Sequence, residues 1–325
     1  MKVLDELHDA ILLSEEEVRK ALDEIGWPKI IDAVAETFIE EAKGETVSPP
    51  KVILDMREYN NDYRAMPSRM LKYPDYCGVK IIGACTDNPT KHNLPLAMGL
   101  YVLSYAPTLE TLMICSCNEL TAYRTAAATA VAVRELSRGE PKVLGIIGCG
   151  QQAYYHIPAI LTAKPSIEEI HVNDLSVDNM SKLAKSFPDL KINCGSKKIL
   201  FEKADVIVTM TPTTEPHIFK EDIPERELLL CSVGGDAKHK LELHPEILTI
   251  ADHFCDSYDQ VIHTGMVFKA IKEGIITQNE LRSLGTFMTT HIKMKCMKKL
   301  RLFLSTGVAL EDIRTAILVY NHMRK

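Results

Sequence analysis

The chain has 325 residues, of which 46 % are hydrophobic and 25 % charged, a composition typical of a globular protein with one large or two ordinary domains. Its 38 Lys and Arg residues against 44 Asp and Glu residues give a formal net charge of −6, which argues against a nucleic-acid-binding surface. No stretch approaches the roughly 18 apolar residues of a membrane span, so we expect neither nucleic acid nor a membrane as partner.

The first part of the chain contains one predicted helix followed by predicted strands. Residues 29–43 carry apolar side chains at three- to four-residue spacing, from Ile31 to Ala42, and Gly44 is a plausible stop. Beyond it, short apolar runs are broken by turn signals. The predicted strands are 51–54, 79–82 and 100–103, and the predicted turns are 60–62 and 87–89. We therefore expect a mostly antiparallel sheet with one or two helices.

The pattern changes after the Ala-rich segment 121–137, a predicted helix that Thr121 can cap and Gly139 can end. From there, strands and helices alternate, which is typical of a parallel, doubly wound sheet. The predicted strands are 142–147, 169–173, 205–210 and 228–233, and the predicted helices are 152–164, 177–186 and 307–323. Pro158 is expected to kink or shorten its helix, because proline lacks a backbone N–H group.

The cysteine pattern bears on metal binding and on the compartment. Nine cysteines lie between Cys77 and Cys296, and none belongs to a CxxC pair, which argues against a disulfide framework and a zinc site. Reduced cysteines are typical of cytoplasmic proteins. Residues 1–6 turn acidic at once, unlike a secretory signal. We expect a cytoplasmic protein without a metal site.

The strongest local motif is a GxGxxA sequence between a predicted strand and a predicted helix, at residues 148–153. Gly148 permits a tight turn, Gly150 lets the backbone approach a pyrophosphate, and Ala153 lets the helix pack close to the strand. The amides and the dipole at the helix start then favour phosphate groups. The alternative interpretation is a buried strand–helix turn in which glycine serves shape alone.

An acidic residue at a suitable distance supports dinucleotide binding. The strand 169–173 ends at Asp174, 21 residues after Ala153, where a carboxylate can accept hydrogen bonds from ribose hydroxyls. The next residues, Leu175 and Ser176, offer no base for a 2′-phosphate. We therefore expect NAD as cofactor, with NADP as the alternative.

Two further predicted strands run into loops that contain candidate cofactor contacts. One ends at Thr211 and Pro212, and the other ends in the glycine-rich turn 233–236. Both ends belong to the carboxyl edge of a doubly wound sheet, where cofactors bind. Asp236 is thus expected near the nicotinamide, although an aspartate that serves only the turn is the alternative.

Seven segments occur in an order that resembles one family across nearly the whole chain. They are 49–52, 63–67, 77–80, 121–127, 148–153, 232–236 and 304–312. The set resembles the ornithine cyclodeaminase/mu-crystallin family, and within it the archaeal alanine dehydrogenase branch. The resemblance implies an α/β fold: a Rossmann domain at 125–301, plus an α+β substrate-binding and dimerisation domain formed by 1–124 with 302–325. It also implies a homodimer formed through the sheet of the latter domain.

The resemblance implies roles for individual residues. Arg64, Lys80 and Arg124 would bind the substrate carboxylate, and Asp236, Lys80 and Lys51 would be catalytic. A planar guanidinium fork and a nearby ammonium suit a carboxylate, and a lysine close to other cations can have a lowered pKa. The implied cofactor-binding residues are Thr125, Gly148, Cys149, Gly150, Gln151, Gln152, Ala153, Asp174, Thr211, Pro212, Val233, Gly234 and Ser305.

The function that the resemblance implies is reversible hydride transfer between NAD(P) and a small amino or imino acid, as in an alanine dehydrogenase. One alternative is an ammonia lyase that cyclises ornithine with tightly held NAD, which the Arg-Ala-Met-Pro run around Ala65 disfavours. A second alternative is a cyclic ketimine reductase. A third is a non-enzymatic binding protein like mu-crystallin.

Overall fold

The computed structural model describes residues 10–59, 61–72, 74–85, 87–237, 240–290 and 298–325. Residues 1–6, Asn60 and Cys296, which were used in the sequence arguments, lie outside these ranges. The chain forms two compact units, Met1–Thr125 with Val308–Lys325 and Ala126–Gly307.

The secondary structure elements follow in chain order. The helices are α1 (Glu15–Ile25), α2 (Trp27–Ala42), α3 (Asn118–Leu136), α4 (Gln151–Ala163), α5 (Val177–Ser186), α6 (Lys197–Lys203), α7 (Tyr258–Val261), α8 (Gly265–Lys272), α9 (Leu284–Thr289) and α10 (Ala309–Met323). The strands are β1 (Ile11–Leu13), β2 (Thr46–Val47), β3 (Val52–Met56), β4 (Asn61–Met70), β5 (Tyr76–Cys85), β6 (Ala97–Tyr105), β7 (Glu110–Ser116), β8 (Val143–Ile147), β9 (Glu169–Asn173), β10 (Ile192–Cys194), β11 (Val206–Thr209), β12 (Leu228–Ser232), β13 (Ala251–Cys255), β14 (Leu281–Ser283) and β15 (Leu300–Leu304).

The first unit contains a sheet in the order β1-β7-β6-β5-β4-β2, with β3 also paired to β4. All pairs are antiparallel except β1 with β7, so the prediction of a mostly antiparallel sheet is confirmed. Helix α10 packs on β4, β5 and β6 and on helices α1 and α2. The Ser68 hydroxyl donates to the carbonyl oxygen of Ala309, at 3.0 Å, and ties β4 to the start of this helix.

Two local predictions in this unit fail. The predicted turn at 60–62 is wrong for Asn61 and Asp62, which pair with β3 while a 3₁₀ turn at Arg57–Tyr59 makes the connection. Helix α1 was not predicted, although Ser14 and Glu17 form a capping box at its start that the sequence displays. Its buried residues Val18, Ala21 and Leu22 recur at three- to four-residue spacing, so the helix could have been predicted from the sequence.

The second unit contains a fully parallel sheet in the order β10-β9-β8-β11-β12-β15-β13-β14. The doubly wound prediction is confirmed, with β9 on one side of β8 and β11 and β12 on the other. Residues 302–304, predicted with the first domain, belong to β15 and pair between β12 and β13 in this sheet. Residues 305–307 also belong to the second unit.

Helix α4 differs from expectation because it continues through Pro158 to Ala163. The predicted shortening is wrong, since Ile157, Ala159 and Ile160 are buried on both sides of the proline and packing offsets the lost hydrogen bond. Among the described helices, none combines the length and apolar character needed to cross a lipid bilayer.

Candidate cofactor and substrate sites

The glycine turn joins β8 to α4 and leaves open space above the helix start. Gly148 has φ +95°, and a Cβ there would lie 2.9 Å from the carbonyl oxygen of Met210, so this position requires glycine. Gly150 is the N-cap of α4 and has no side-chain cap, and a Cβ built on it meets no atom within 4 Å. Ala153 is fully buried. The open amides of a thirteen-residue helix therefore fit a pyrophosphate.

Asp174 connects the end of β9 with this turn. One carboxylate oxygen accepts from the backbone N–H of Cys149 at 2.7 Å, and the other from that of Ser176 at 2.8 Å. Each oxygen keeps a second lone pair, so the half-buried carboxylate can still accept from ribose hydroxyls. Burial, aided by the Asp174 charge, raises the pKa of the Cys149 thiol to about 12, so this cysteine stays protonated. Leu175 is fully exposed beside the acid.

The loops after β11 and β12 contain four further predicted cofactor residues. The buried carboxylate of Glu242, which sequence reasoning missed, joins the two loops. Glu242 accepts hydrogen bonds from Thr211 in the first loop and from Gly234 in the second. Pro212 is exposed, and Val233 is half-buried. The only sequence signal for Glu242 is its position between Leu241 and Leu243, which suggests a buried segment.

Asp236 follows the glycine-rich turn and lies half-buried, with a carboxylate oxygen 2.7 Å from the Lys240 ammonium. The spacing of four residues was a visible signal for this ion pair, but Lys240 was not predicted as part of the site. The ion pair keeps a carboxylate and an ammonium together at the carboxyl edge of the sheet, where proton transfer with a bound substrate is chemically feasible.

Ser305 follows β15, and its backbone N–H donates to the carbonyl oxygen of Ser232, at 2.9 Å. The loop is held by Asp256, a second buried acid that sequence reasoning missed. Its carboxylate accepts from the hydroxyl of Thr306 at 2.9 Å and from the N–H of Gly307 at 2.8 Å. Burial raises the pKa of Asp256, although these hydrogen bonds oppose the rise.

In the first unit, two predicted cations meet two buried acids on α10. The Lys80 ammonium lies 2.9 Å from Asp312, and the Arg124 guanidinium donates to Asp312 at 3.0 Å and to Glu311 at 2.7 Å. All four side chains are almost fully buried. Burial lowers the pKa of Lys80, and Arg124 lowers it further, while Asp312 opposes the shift. We call these four residues the cation–acid cluster.

The remaining predicted site residues of the first unit lie on β4, next to β3 and on α3. Arg64 on β4 makes a two-point contact with Asp62, at 2.9 and 2.7 Å. Because Met66 pairs with Lys80, Arg64 and Lys80 lie on the same face of the sheet. Lys51 immediately precedes β3, which pairs with β4. Thr125 on α3 is buried and donates to the carbonyl oxygen of Thr121.

His156 is a buried histidine that serves packing. Burial lowers the pKa of His156 to about 4, and its ring accepts from Thr129 while donating to the carbonyl of Gln152, so it is a neutral core residue. The described residues contain no cluster of three or more His, Cys, Asp or Glu side chains that could hold a metal ion. The described cysteines are free thiols.

Two solved structures resemble the chain over nearly its full length. One is an archaeal alanine dehydrogenase dimer with bound NAD, at 28 % identity and a TM-score of 0.88, covering 97 % of this chain and 96 % of the other. The second is Δ1-pyrroline-2-carboxylate reductase from Thermococcus litoralis in complex with NADH and L-proline, at 27 % identity and a TM-score of 0.88, with 97 % of each chain covered.

Sequence comparison agrees with the structural likeness. The alanine dehydrogenase of Archaeoglobus fulgidus is 29 % identical over 317 residues, which cover 97 % of this chain and 95 % of that protein. Further relatives carry the names of imino-acid reductases. The profile of the ornithine cyclodeaminase/mu-crystallin family matches residues 10–325, and the chain belongs to this family.

Proposed function

We propose that the protein is an NAD-dependent oxidoreductase that transfers hydride to or from the α-carbon of a small amino or imino acid. The observation that carries the proposal is the open glycine turn with Asp174 bound beside it. The absence of a basic residue at Leu175 and Ser176 favours NAD over NADP. The bound cofactor in the archaeal alanine dehydrogenase supports the same choice.

Different residues of the chain have different roles in this proposed reaction. When bound, the nicotinamide cofactor supplies the hydride chemistry. The α4 amides hold the pyrophosphate, and Asp174 holds a ribose. Lys80 and Arg124 bind the substrate carboxylate, and Arg64 and Lys51 add positive charge. Asp236, with Lys240 beside it, orients the substrate nitrogen and exchanges its proton. Oxidation removes a hydride from carbon and a proton from nitrogen, and water converts the imine to a 2-oxo acid and ammonia.

The test is a panel of L-amino acids, and of 2-oxo acids with ammonia, followed through the absorbance of the reduced nicotinamide. NAD and NADP are run in parallel. We expect turnover of a small monocarboxylic substrate with NAD. A protein that binds neither dinucleotide would contradict the proposal, and one that binds NAD without any turnover would favour a binding role like that of mu-crystallin.

Reduction of a cyclic imine is the second candidate, because the reductase from Thermococcus litoralis is as similar in structure as the alanine dehydrogenase. Δ1-Pyrroline-2-carboxylate with NADH tests this candidate directly. Incubation with L-ornithine and no added cofactor, followed by analysis for proline, tests the cyclodeaminase alternative.

Cofactor binding can be tested at Gly150 without disturbing the fold. A Cβ built at this position meets no protein atom within 4 Å, and a side chain there would occupy the space through which a pyrophosphate approaches the helix start. We expect the series Gly150→Ala and Gly150→Val to weaken NADH binding progressively, while the thermal midpoint of unfolding stays unchanged. Unaltered NADH fluorescence titrations for Gly150→Val would rule out the glycine turn as the binding site.

We also propose a homodimer formed through the outer face of the first sheet. Strand pairing places Val52, Ala65, Ile81 and Leu100 in one row on the face opposite Lys80 and Tyr101. Val52 is 65 % and Leu100 52 % exposed, and neighbouring exposed apolar side chains of this kind are typical of a protein–protein interface. The dimeric archaeal relative supports this assignment.

The dimer proposal predicts that Leu100→Asp converts the protein to a monomer in sedimentation velocity. A carboxylate in a tightly packed apolar interface must be desolvated without a partner, which opposes association. Ile199→Asp, on an exposed apolar position of α6, is the matched control and should leave the dimer intact. A Leu100→Asp protein that sediments like the unmodified protein would show that another surface mediates assembly.

A further inference from the structure

Glu242 is a buried carboxylate, 1 % exposed, whose partners within the described residues are hydroxyl and backbone N–H groups. One oxygen accepts from the Thr209 hydroxyl at 2.7 Å and from the Thr211 N–H and hydroxyl at 2.6 and 2.8 Å. The other accepts from the Ser232 hydroxyl at 2.9 Å and the Gly234 N–H at 2.8 Å. Five donors on one carboxylate offset much of the desolvation cost of burying it.

The two carboxylate oxygens of Glu242 accept hydrogen bonds at the ends of two different strands. Thr209 ends β11, Ser232 ends β12, and these neighbouring strands are paired in register. One oxygen therefore fixes the loop after β11 and the other fixes the loop after β12. The fixed distance between the two carboxylate oxygens thereby sets the spacing of the loops. An apolar side chain could not do this, because it has no hydrogen-bond acceptor.

The two loops that Glu242 joins are also closely packed, one against the other and against the glycine turn. A Cβ on Gly234 would lie 2.3 Å from the carbonyl oxygen of Thr211 and 2.6 Å from the carboxyl carbon of Glu242. A Cβ on Gly148 would lie 2.9 Å from the carbonyl oxygen of Met210. The three loops thus touch through backbone atoms, so a displacement of one loop is transmitted to the next.

The strand order indicates which part of a dinucleotide these loops would meet. Asp174 follows β9, on one side of the glycine turn, and β11 and β12 lie on the other side. A dinucleotide whose ribose is held by Asp174 and whose pyrophosphate lies on the turn directs its nicotinamide half over β11 and β12. Asp236 is only two residues beyond Gly234.

We propose that Glu242 is a positioning residue for the nicotinamide ring of the cofactor and for Asp236, acting through Thr211 and Gly234. The inference rests on the proposed function. His217 supports the arrangement, because its ring donates to the Thr211 hydroxyl at 3.0 Å while that hydroxyl donates to Glu242. The adenosine half, held beside β9, is independent of Glu242.

The test compares the binding of NADH and of ADP-ribose, which lacks the nicotinamide ring, in Glu242→Gln. In this variant an amide NH₂ group replaces one of the two carboxylate oxygens. That group is a donor and faces other donors, so the N–H and hydroxyl groups of one loop lose their acceptor. We expect NADH affinity to fall about tenfold or more, while ADP-ribose affinity stays within about twofold, since one unpaired buried donor is enough for such a change. Glu246→Gln, an exposed glutamate four residues away, is the control and should change neither.

Thr209→Val is a milder variant that removes a single hydroxyl donor, and it should shift the same affinity ratio in the same direction. Equal weakening of both ligands in the two variants, or no change in either ligand, would overturn the positioning role. If the unmodified protein binds neither NADH nor ADP-ribose, the proposed function fails instead, so the two failures are distinguishable.

Discussion

Replacing Arg124 with alanine is expected to abolish measurable substrate saturation and to destabilise the protein. The guanidinium is the only group that contacts both Glu311 and Asp312 among the described ion pairs of the cation–acid cluster. Its removal takes the guanidinium away from both buried carboxylates, and removing one member of a buried ion pair costs about 3–5 kcal/mol in comparable cases. The same change removes the planar donor that we assign to the substrate carboxylate. Denaturant unfolding and steady-state kinetics measure the two effects.

Two further variants separate the binding role from the structural one. Arg124→Lys keeps the charge but cannot donate in two directions, so we expect partial recovery of stability with a Michaelis constant that remains high. Arg134→Ala, on the same helix in a partly exposed pair with Glu135, should change neither quantity. An Arg124→Ala enzyme with an unchanged Michaelis constant would show that the carboxylate binds elsewhere.

Asp236→Asn is expected to lower kcat by about 10²–10⁴, the range that general acid–base groups contribute, while NADH affinity changes little. The amide is nearly isosteric but can neither take up a proton nor hold Lys240 as an ion pair. The turnover number, the Michaelis constant and the NADH dissociation constant together measure this effect.

Asp178→Asn is the control for this prediction. Asp178 forms an exposed ion pair with Lys182 at 2.7 Å on α5, with the same spacing of four residues, so its loss removes the same charge from the surface of the same unit. If both variants reduce kcat equally, Asp236 acts through stability alone. A large drop confined to Asp236→Asn supports its assignment to proton transfer.

Local sequence signals were sufficient for the elements around the glycine turn. The glycine turn, the strand before it and the helix at 177–186 follow from patterns a few residues long, and the structure places the last at Val177–Ser186. The order of the later strands was not predictable in this way. Strand β15 inserts between β12 and β13, so its neighbours lie about 50 and 70 residues earlier, and nothing local shows that pairing.

The same distinction applies to the site. Arg64, Lys80 and Arg124 were predicted as substrate residues from the resemblance of short segments, but their acidic partners were not predicted. Arg124 is separated from Asp312 by 188 residues, so no spacing rule joins them. Glu242 and Asp256 escaped notice for a different reason, since isolated acids in a sequence are normally exposed and only the fold shows that these are buried.

Helix α10 belongs to the first unit but is synthesised after the whole second unit, which affects how the first unit folds during biosynthesis. Lys80 and Arg124 are made early, whereas Glu311 and Asp312 lie on the helix that leaves the ribosome after the whole parallel sheet has been synthesised. The nascent amino-terminal part must therefore keep two uncompensated cations hydrated while the following domain folds. Ribosome stalling before Ala309 should leave that part sensitive to protease, and release of the chain with α10 should protect it.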